Sequence, residues 1–150
     1  MRHVLLVAST GGHLAQLVAL RPWWQRHRRT WVTFDKADAR STLNGERIVN
    51  AYQPTTRNLR NLVRNTLLAV RVMPQERPDV VISTGAGVAL PFFVMARLMR
   101  IPTVYLEVFD RVESRTLTGR LCRPLATAFC VQWPEQQQLY PGSVLVGPLL

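Results

Sequence analysis

Long apolar runs are missing from this 150-residue sequence. The best candidate, Val88 to Ala96, contains Pro91 and is closed by Arg97 and Arg100. It falls short of the about 18 apolar residues that a membrane-spanning helix needs. Cysteine is nearly absent, and Cys122 and Cys130 form no CxxC pair and no Cys/His cluster. That argues against a zinc site and against a disulfide framework, and no other metal or cofactor motif appears. Acidic residues are scarce, nine against nineteen basic ones, and Lys36 is the only lysine. The net charge of +10 favours an anionic partner: nucleic acid, an anionic membrane surface or a phosphorylated substrate. Nucleic-acid binding usually brings interleaved aromatics or a known module, and neither is seen. Gly11 and Gly12 interrupt the first apolar stretch before it could serve as a signal peptide. A cytoplasmic chain with reduced thiols is therefore expected.

What is present is enough apolar content, 47% of residues, for one soluble domain spanning residues 1–150. Short β-branched runs alternate with helical patterns, the rhythm of a parallel sheet with crossover helices. Val4–Ala8, Thr30–Phe34, Arg47–Asn50, Asp79–Ile82, Pro102–Leu106, Phe129–Gln132 and Val144–Val146 read as strands. His13–Leu20, Asp38–Leu43, Asn58–Met73, Val88–Met99 and Gly119–Ala126 read as helices, with a short turn of helix around Glu135–Leu139. Asn58–Met73 is the clearest, because Leu59, Leu62, Val63, Leu67 and Val70 recur at helical spacing. Its Arg57, Arg60, Arg64 and Arg71 should share a face opposite the leucines, either solvated or against anionic lipid. Pro74 and Pro78 should close it. The expected fold is a doubly wound, Rossmann-like α/β sheet.

In such sheets ligands bind beyond the carboxyl ends of the strands. Three loops there are candidates. In Ser9-Thr10-Gly11-Gly12-His13, glycines admit a ligand close to backbone N–H groups at a helix start. His13 is the candidate general base; alternatively the loop only makes the turn. Ser83-Thr84-Gly85-Ala86-Gly87 has Gly-x-Gly spacing without the third glycine or the lysine of a phosphate loop, so it either cradles phosphate or packs helix on strand. Glu107, directly after an apolar strand end, is placed for acid–base or hydroxyl-binding work, with Asp110 and Arg111 following it. The apolar Val88–Met99 helix is either core or a membrane-interface face flanked by Arg97 and Arg100.

The run TVYLEVFDRVESRTLTGRL from Thr103 to Leu121, then Val131-Gln132-Trp133 and Tyr140-Pro141, carries a more specific signal. Together with Ser9-Thr-Gly-Gly-His13-Leu and Ser83-Thr-Gly-Ala-Gly87, it resembles the bacterial exopolysaccharide proteins of the PssD type. These are similar to the membrane-recruiting subunit of the eukaryotic two-part N-acetylglucosaminyltransferase that extends dolichol-linked sugars. The resemblance implies the N-terminal, acceptor-binding half of a GT-B glycosyltransferase split between two polypeptides, active only with its partner. That partner, the second-half subunit, would carry the nucleotide-sugar site, with a UDP-sugar as donor. The acceptor would be a polyprenyl-diphosphate-linked saccharide. The eukaryotic relatives begin with a membrane-spanning helix. Here the sequence starts at the first strand, so peripheral attachment to an anionic surface, the inner face of the cell membrane, is expected. The implied site has His13 and Glu107 in catalytic roles. Gly11, Gly12, Thr84, Gly85, Gly87, Asp110 and Arg111 would bind substrate, without nucleic acid, metal or cofactor. The competing class is a non-catalytic nucleotide- or nucleic-acid-binding α/β domain that exploits the positive charge.

Overall fold

The computed structural model describes residues 1–150. Seven strands form one parallel sheet: β1 (His3–Ala8), β2 (Arg28–Phe34), β3 (Ile48–Ala51), β4 (Val80–Gly85), β5 (Thr103–Leu106), β6 (Ala128–Val131) and β7 (Val144–Leu145). Their order is β3-β2-β1-β4-β5-β6-β7, and every pairing is parallel. Helices α1 (Gly12–Ala19), α2 (Arg21–Trp24), α3 (Ala37–Thr42), α4 (Leu59–Glu76), α5 (Ala89–Leu98), α6 (Leu117–Cys122) and α7 (Pro134–Leu139) connect them. A 3₁₀ turn, Arg123–Leu125, follows α6.

β1 is buried along its whole length because both faces of the sheet are covered. Its Val4, Leu6 and Ala8 point into a core shared with Leu14, Leu17, Trp24, Ala39 and Leu43 from the α1–α3 layer. Leu5 and Val7 point the other way, into a larger core with Leu68, Met73, Phe92, Phe93 and Cys122 from the α4–α6 layer. From β1 the chain first builds outward through β2 and β3, then crosses back along α4 to β4 on β1's other side. Loops leaving β1 and β4 therefore diverge, and a crevice opens at their carboxyl ends. The β1–β4 register slips there, from Val7 opposite Ser83 to Ala8 opposite Gly85, which leaves Thr84 outside the ladder as a bulge.

Several elements differ from the sequence pattern. α4 runs through Pro74 to Glu76 and is capped by left-handed Arg77. The expected helix at Gly119–Ala126 starts earlier, at Leu117, where the Thr116 hydroxyl accepts the Gly119 N–H. α5 is a core helix rather than a membrane face: Ala89, Phe92, Phe93 and Ala96 are wholly buried, and only Val94 and Leu98 are exposed apolar residues on it.

The larger correction concerns α4. Its leucines face outward, with Leu59 74% and Leu67 65% exposed. The buried face carries Asn61, Asn65, Leu68, Ala69, Val72 and Met73. Burying two asparagines is tolerable because backbone groups satisfy both. Asn65 accepts the Tyr52 N–H at 2.8 Å and donates to the Tyr52 carbonyl at 3.0 Å. Asn61 donates to the Pro54 carbonyl at 2.8 Å. With 3.6 residues per turn, Arg60, Arg64 and Arg71 flank the exposed leucines rather than oppose them.

Candidate functional site

A cleft of about 730 Å³ lies over the carboxyl edge of β1, β4 and β5, between the start of α4 and the start of α6. His13, Glu107, Asp110, Arg111 and Gly87 line it, as expected, and so does Arg57. Gly11, Gly12, Thr84 and Gly85 do not. Leu59, Leu62, Leu117 and Leu121 form an apolar part of the wall. All four are exposed, so the cleft mouth continues into the outward leucine face of α4.

His13 sits in the first turn of α1. Its Nδ1 lies 2.9 Å from the Thr84 carbonyl. A carbonyl can only accept, so Nδ1 carries a proton, and in the neutral imidazole the lone pair is on Nε2. The Thr84 hydroxyl in turn donates to the His13 carbonyl at 2.6 Å. The bulge in β4 makes this exchange possible, since it turns Thr84 away from the ladder. Thr84 thus orients the imidazole, and Nε2 has no protein partner.

Of the four glycines, Gly11 and Gly85 have their N–H groups engaged within the protein and Gly85 and Gly87 are tightly packed, whereas a Cβ at Gly11 or Gly12 would meet nothing. The Gly11 N–H is taken by the Asp38 carboxylate at 3.0 Å, and that of Gly85 donates to Ser83 Oγ at 2.9 Å. Gly85 has φ +110°, and a Cβ there would meet the Tyr105 hydroxyl at 2.6 Å. At Gly87 a Cβ would come within 3.0 Å of Thr55.

Glu107 is fully buried. Its Oε2 accepts the Tyr140 hydroxyl at 2.6 Å and the Thr116 hydroxyl at 2.9 Å, and its Oε1 accepts the Val108 N–H at 3.1 Å. Burial, the hydrogen bond to Glu107 and that carboxylate's charge push the Tyr140 phenol well up. Burial and then the Glu107 charge do the same to Tyr105 and carry the Cys122 thiol to about 12. The carboxylate, held by two hydroxyls and one N–H, ties β5 to the start of α6 and the end of α7, and one lone pair of Oε1 is left without a protein partner. Gly119 makes room for it: a Cβ there would fall 2.7 Å from Oε2 and 2.6 Å from the Tyr140 hydroxyl.

Sequence reasoning missed Gly119, Tyr140's role and the Thr55–Asn58 segment. That segment follows β3, so the strand-end rule applied to the weakest strand would have found it. Nothing in the spacing pairs Glu107 with Tyr140, 33 residues on.

Against known proteins, the mouse UDP-N-acetylglucosamine transferase subunit ALG14 is 36% identical over 80 residues, covering 49% of this chain and 37% of that protein. A Geobacillus kaustophilus UDP-N-acetylglucosamine–N-acetylmuramyl-(pentapeptide) pyrophosphoryl-undecaprenol N-acetylglucosamine transferase is 31% identical over 92 residues, 57% of this chain and 25% of that one. The matches thus span less than half the length of these relatives. The crystal structure of Acinetobacter baumannii MurG superposes with a TM-score of 0.79 at 24% identity, over 98% of this chain and 45% of that one. The fold is accordingly that of the N-terminal half of a GT-B glycosyltransferase. Residues 39–149 match the model of the family described as "Oligosaccharide biosynthesis protein Alg14 like", and the chain belongs to that family.

Proposed function

We propose that this chain is the acceptor-binding, membrane-associating half of a two-protein glycosyltransferase acting on a polyprenyl-diphosphate-linked saccharide. The observation that carries the reading is the two-sided cleft, with His13, Arg57 and Arg111 beside an apolar wall of leucines. A diphosphate calls for guanidinium groups. A polyprenyl chain calls for apolar surface leading out of the site, and Leu59, Leu62, Leu117 and Leu121 supply it. Likeness to the mouse transferase subunit and to the Geobacillus pyrophosphoryl-undecaprenol transferase supports sugar transfer, a subunit role and a lipid-diphosphate acceptor. A second protein brings the donor, a UDP-sugar, and closes the other wall of the cleft. Exopolysaccharide or capsule assembly is the context we propose.

In this mechanism the acceptor hydroxyl attacks the anomeric carbon of the donor sugar. The bond from that carbon to the UDP oxygen breaks, UDP leaves with the electron pair, and the hydroxyl proton passes to His13 Nε2. Thr84 holds the imidazole in the tautomer this needs. Glu107 is the pin that fixes the loop carrying Asp110 and Arg111.

Attachment to the membrane is by α4 rather than α5. No helix is long and apolar enough to cross a membrane. Leu59, Val63, Leu67 and Val70 are exposed, and no carboxylate pairs with Arg57, Arg60, Arg64 or Arg71. Apolar insertion plus about 1 kcal/mol per arginine at an anionic surface would hold the cleft mouth against the bilayer.

The test is transfer from a panel of UDP-sugars by this chain co-purified with its second-half protein. A short-chain polyprenyl-diphosphate saccharide should be glycosylated, and the chain alone should be inactive. His13→Ala should keep the partner and lose about 10²–10⁴-fold in turnover. Equal transfer to a free saccharide, or full turnover without the partner, would overturn the reading.

A further inference from the structure

Three glutamines are buried beside the cleft: Gln16 on α1, Gln132 just after β6 and Gln136 on α7 are each at most 1% exposed. Fully buried amides persist only where every polar atom is used, and these are. Gln16 donates to the Gly12 carbonyl at 3.2 Å and accepts the Phe109 N–H at 3.1 Å. Gln132 donates both to Gln16 Oε1 and, at 3.0 Å, to the Glu107 carbonyl. Its own Oε1 accepts the Leu149 N–H at 3.1 Å, which fixes which way the amide faces. Gln136 donates to the carbonyls of Val108 at 2.6 Å and Arg111 at 3.2 Å, and Trp133 Nε1 donates to that of Phe109 at 2.7 Å. The loop that carries Asp110 and Arg111 is therefore held by side chains, not by sheet or helix.

We propose that Gln16 and Gln132 are positioning residues that lock the His13 turn and the 107–111 loop into one body, with segment 147–150 setting the amide that joins them. The geometry is specific. Gln16 reaches one loop through Gly12, one residue before His13, and the other through Phe109, one residue before Asp110. Gln132 closes the link from β6, 116 residues away in sequence from Gln16. Without it the base and the cationic loop would sit on two independently moving turns of a parallel sheet, and reacting groups tolerate little such misplacement. The consequence for turnover rests on the acceptor reading above; the mechanical coupling does not.

Amide hydrogen exchange on the full chain, without acceptor or partner, tests the coupling. Gln132→Leu keeps the side-chain bulk and removes every hydrogen bond of the side chain. It should raise exchange at Phe109 and across both 11–17 and 107–113 by about tenfold, with the amides of β1 and β4 unchanged. Gln16→Leu should give the same paired response, and it serves if Gln132→Leu fails to fold. Removal of residues 147–150 should produce a smaller rise in the same two segments. Exchange that rises in one segment alone, or evenly throughout the sheet, would overturn the proposal, and an unchanged Phe109 amide after that truncation would overturn the part played by Leu149. In the assembled enzyme, Gln132→Leu should raise the acceptor KM and lower kcat together. If exchange changes as stated while turnover does not, the acceptor reading fails and the coupling stands.

Discussion

Glu107→Gln separates a structural pin from a catalytic base. Both hydroxyls that touch this carboxylate have committed their protons to it. The Tyr140 oxygen also accepts the Thr116 N–H at 3.2 Å, and the Thr116 oxygen accepts the Gly119 N–H at 3.0 Å, so each donates its one proton to Oε2. A glutamine cannot satisfy this set. With its oxygen toward the hydroxyls, its NH₂ group confronts the Val108 N–H; flipped, it confronts two hydroxyl protons. The better choice loses one buried hydrogen bond to a charged group, about 1.5–3 kcal/mol. At roughly 2–4 °C per kcal/mol for a chain of this size, the melting temperature should fall by about 3–12 °C. Tyr140→Phe removes the shortest partner, and a double-mutant cycle with Glu107→Gln should give a coupling of about 1–2 kcal/mol. Urea unfolding of the four proteins measures this. Tyrosinate titration supplies a second readout, because removing the Glu107 charge should bring the raised Tyr140 phenol down. Wild-type stability in Glu107→Gln, together with a 10²-fold or greater loss of turnover, would refute the pin and make Glu107 the base.

Leu59→Ser with Leu67→Ser should abolish flotation on phosphatidylglycerol vesicles while leaving stability within about 0.5 kcal/mol, since both side chains are exposed; unchanged flotation would remove α4 as the attachment face. Arg97→Gln with Arg100→Gln should leave vesicle binding nearly unaltered. Cys122, buried and with its thiol raised to about 12, should resist thiol reagents at neutral pH until the chain is unfolded. For Glu46, burial opposes ionisation, but hydrogen bonds from Arg29 and Trp31 outweigh it and hold the carboxyl below its usual 4.5. Its contribution is thus present above that pH and lost as pH falls through the lower folded value. Acid unfolding of Glu46→Gln should show a shallower pH dependence than the wild type in that window.

The strands, the parallel sheet and the doubly wound layout were legible in the sequence because they are written locally. A β-branched apolar run of four to six residues bounded by turn residues reads as a buried strand, and helical periodicity between such runs leaves few topologies. Three candidate loops followed from the same rule, and His13, Glu107, Asp110 and Arg111 do meet in one cleft. Their roles did not follow. His13 acquires its tautomer from the Thr84 carbonyl, 71 residues away, and Glu107 acquires its hydroxyl partners from α7 and the start of α6.

α4 and α5 show where local pattern gives out. Periodicity reports that a helix has an apolar stripe, not which stripe meets the protein. On α4 the sheet-facing stripe is the one with Ala69, which lets α5 approach closely, and with Asn61 and Asn65, whose amides are satisfied only because the Tyr52 and Pro54 backbone arrives beside them. The leucines are left outside, where the same apolarity that suggested a core becomes an exposed surface. α5, nearly apolar all round, is consumed by the core because it lies between the sheet, α4 and α6. Sequence by itself determined which segments are strands and helices and which loops reach the ligand edge. Tertiary structure alone decided which helix faces are buried and which polar groups find each other, because burial and hydrogen bonding depend on partners that the chain brings together only after the sheet has formed.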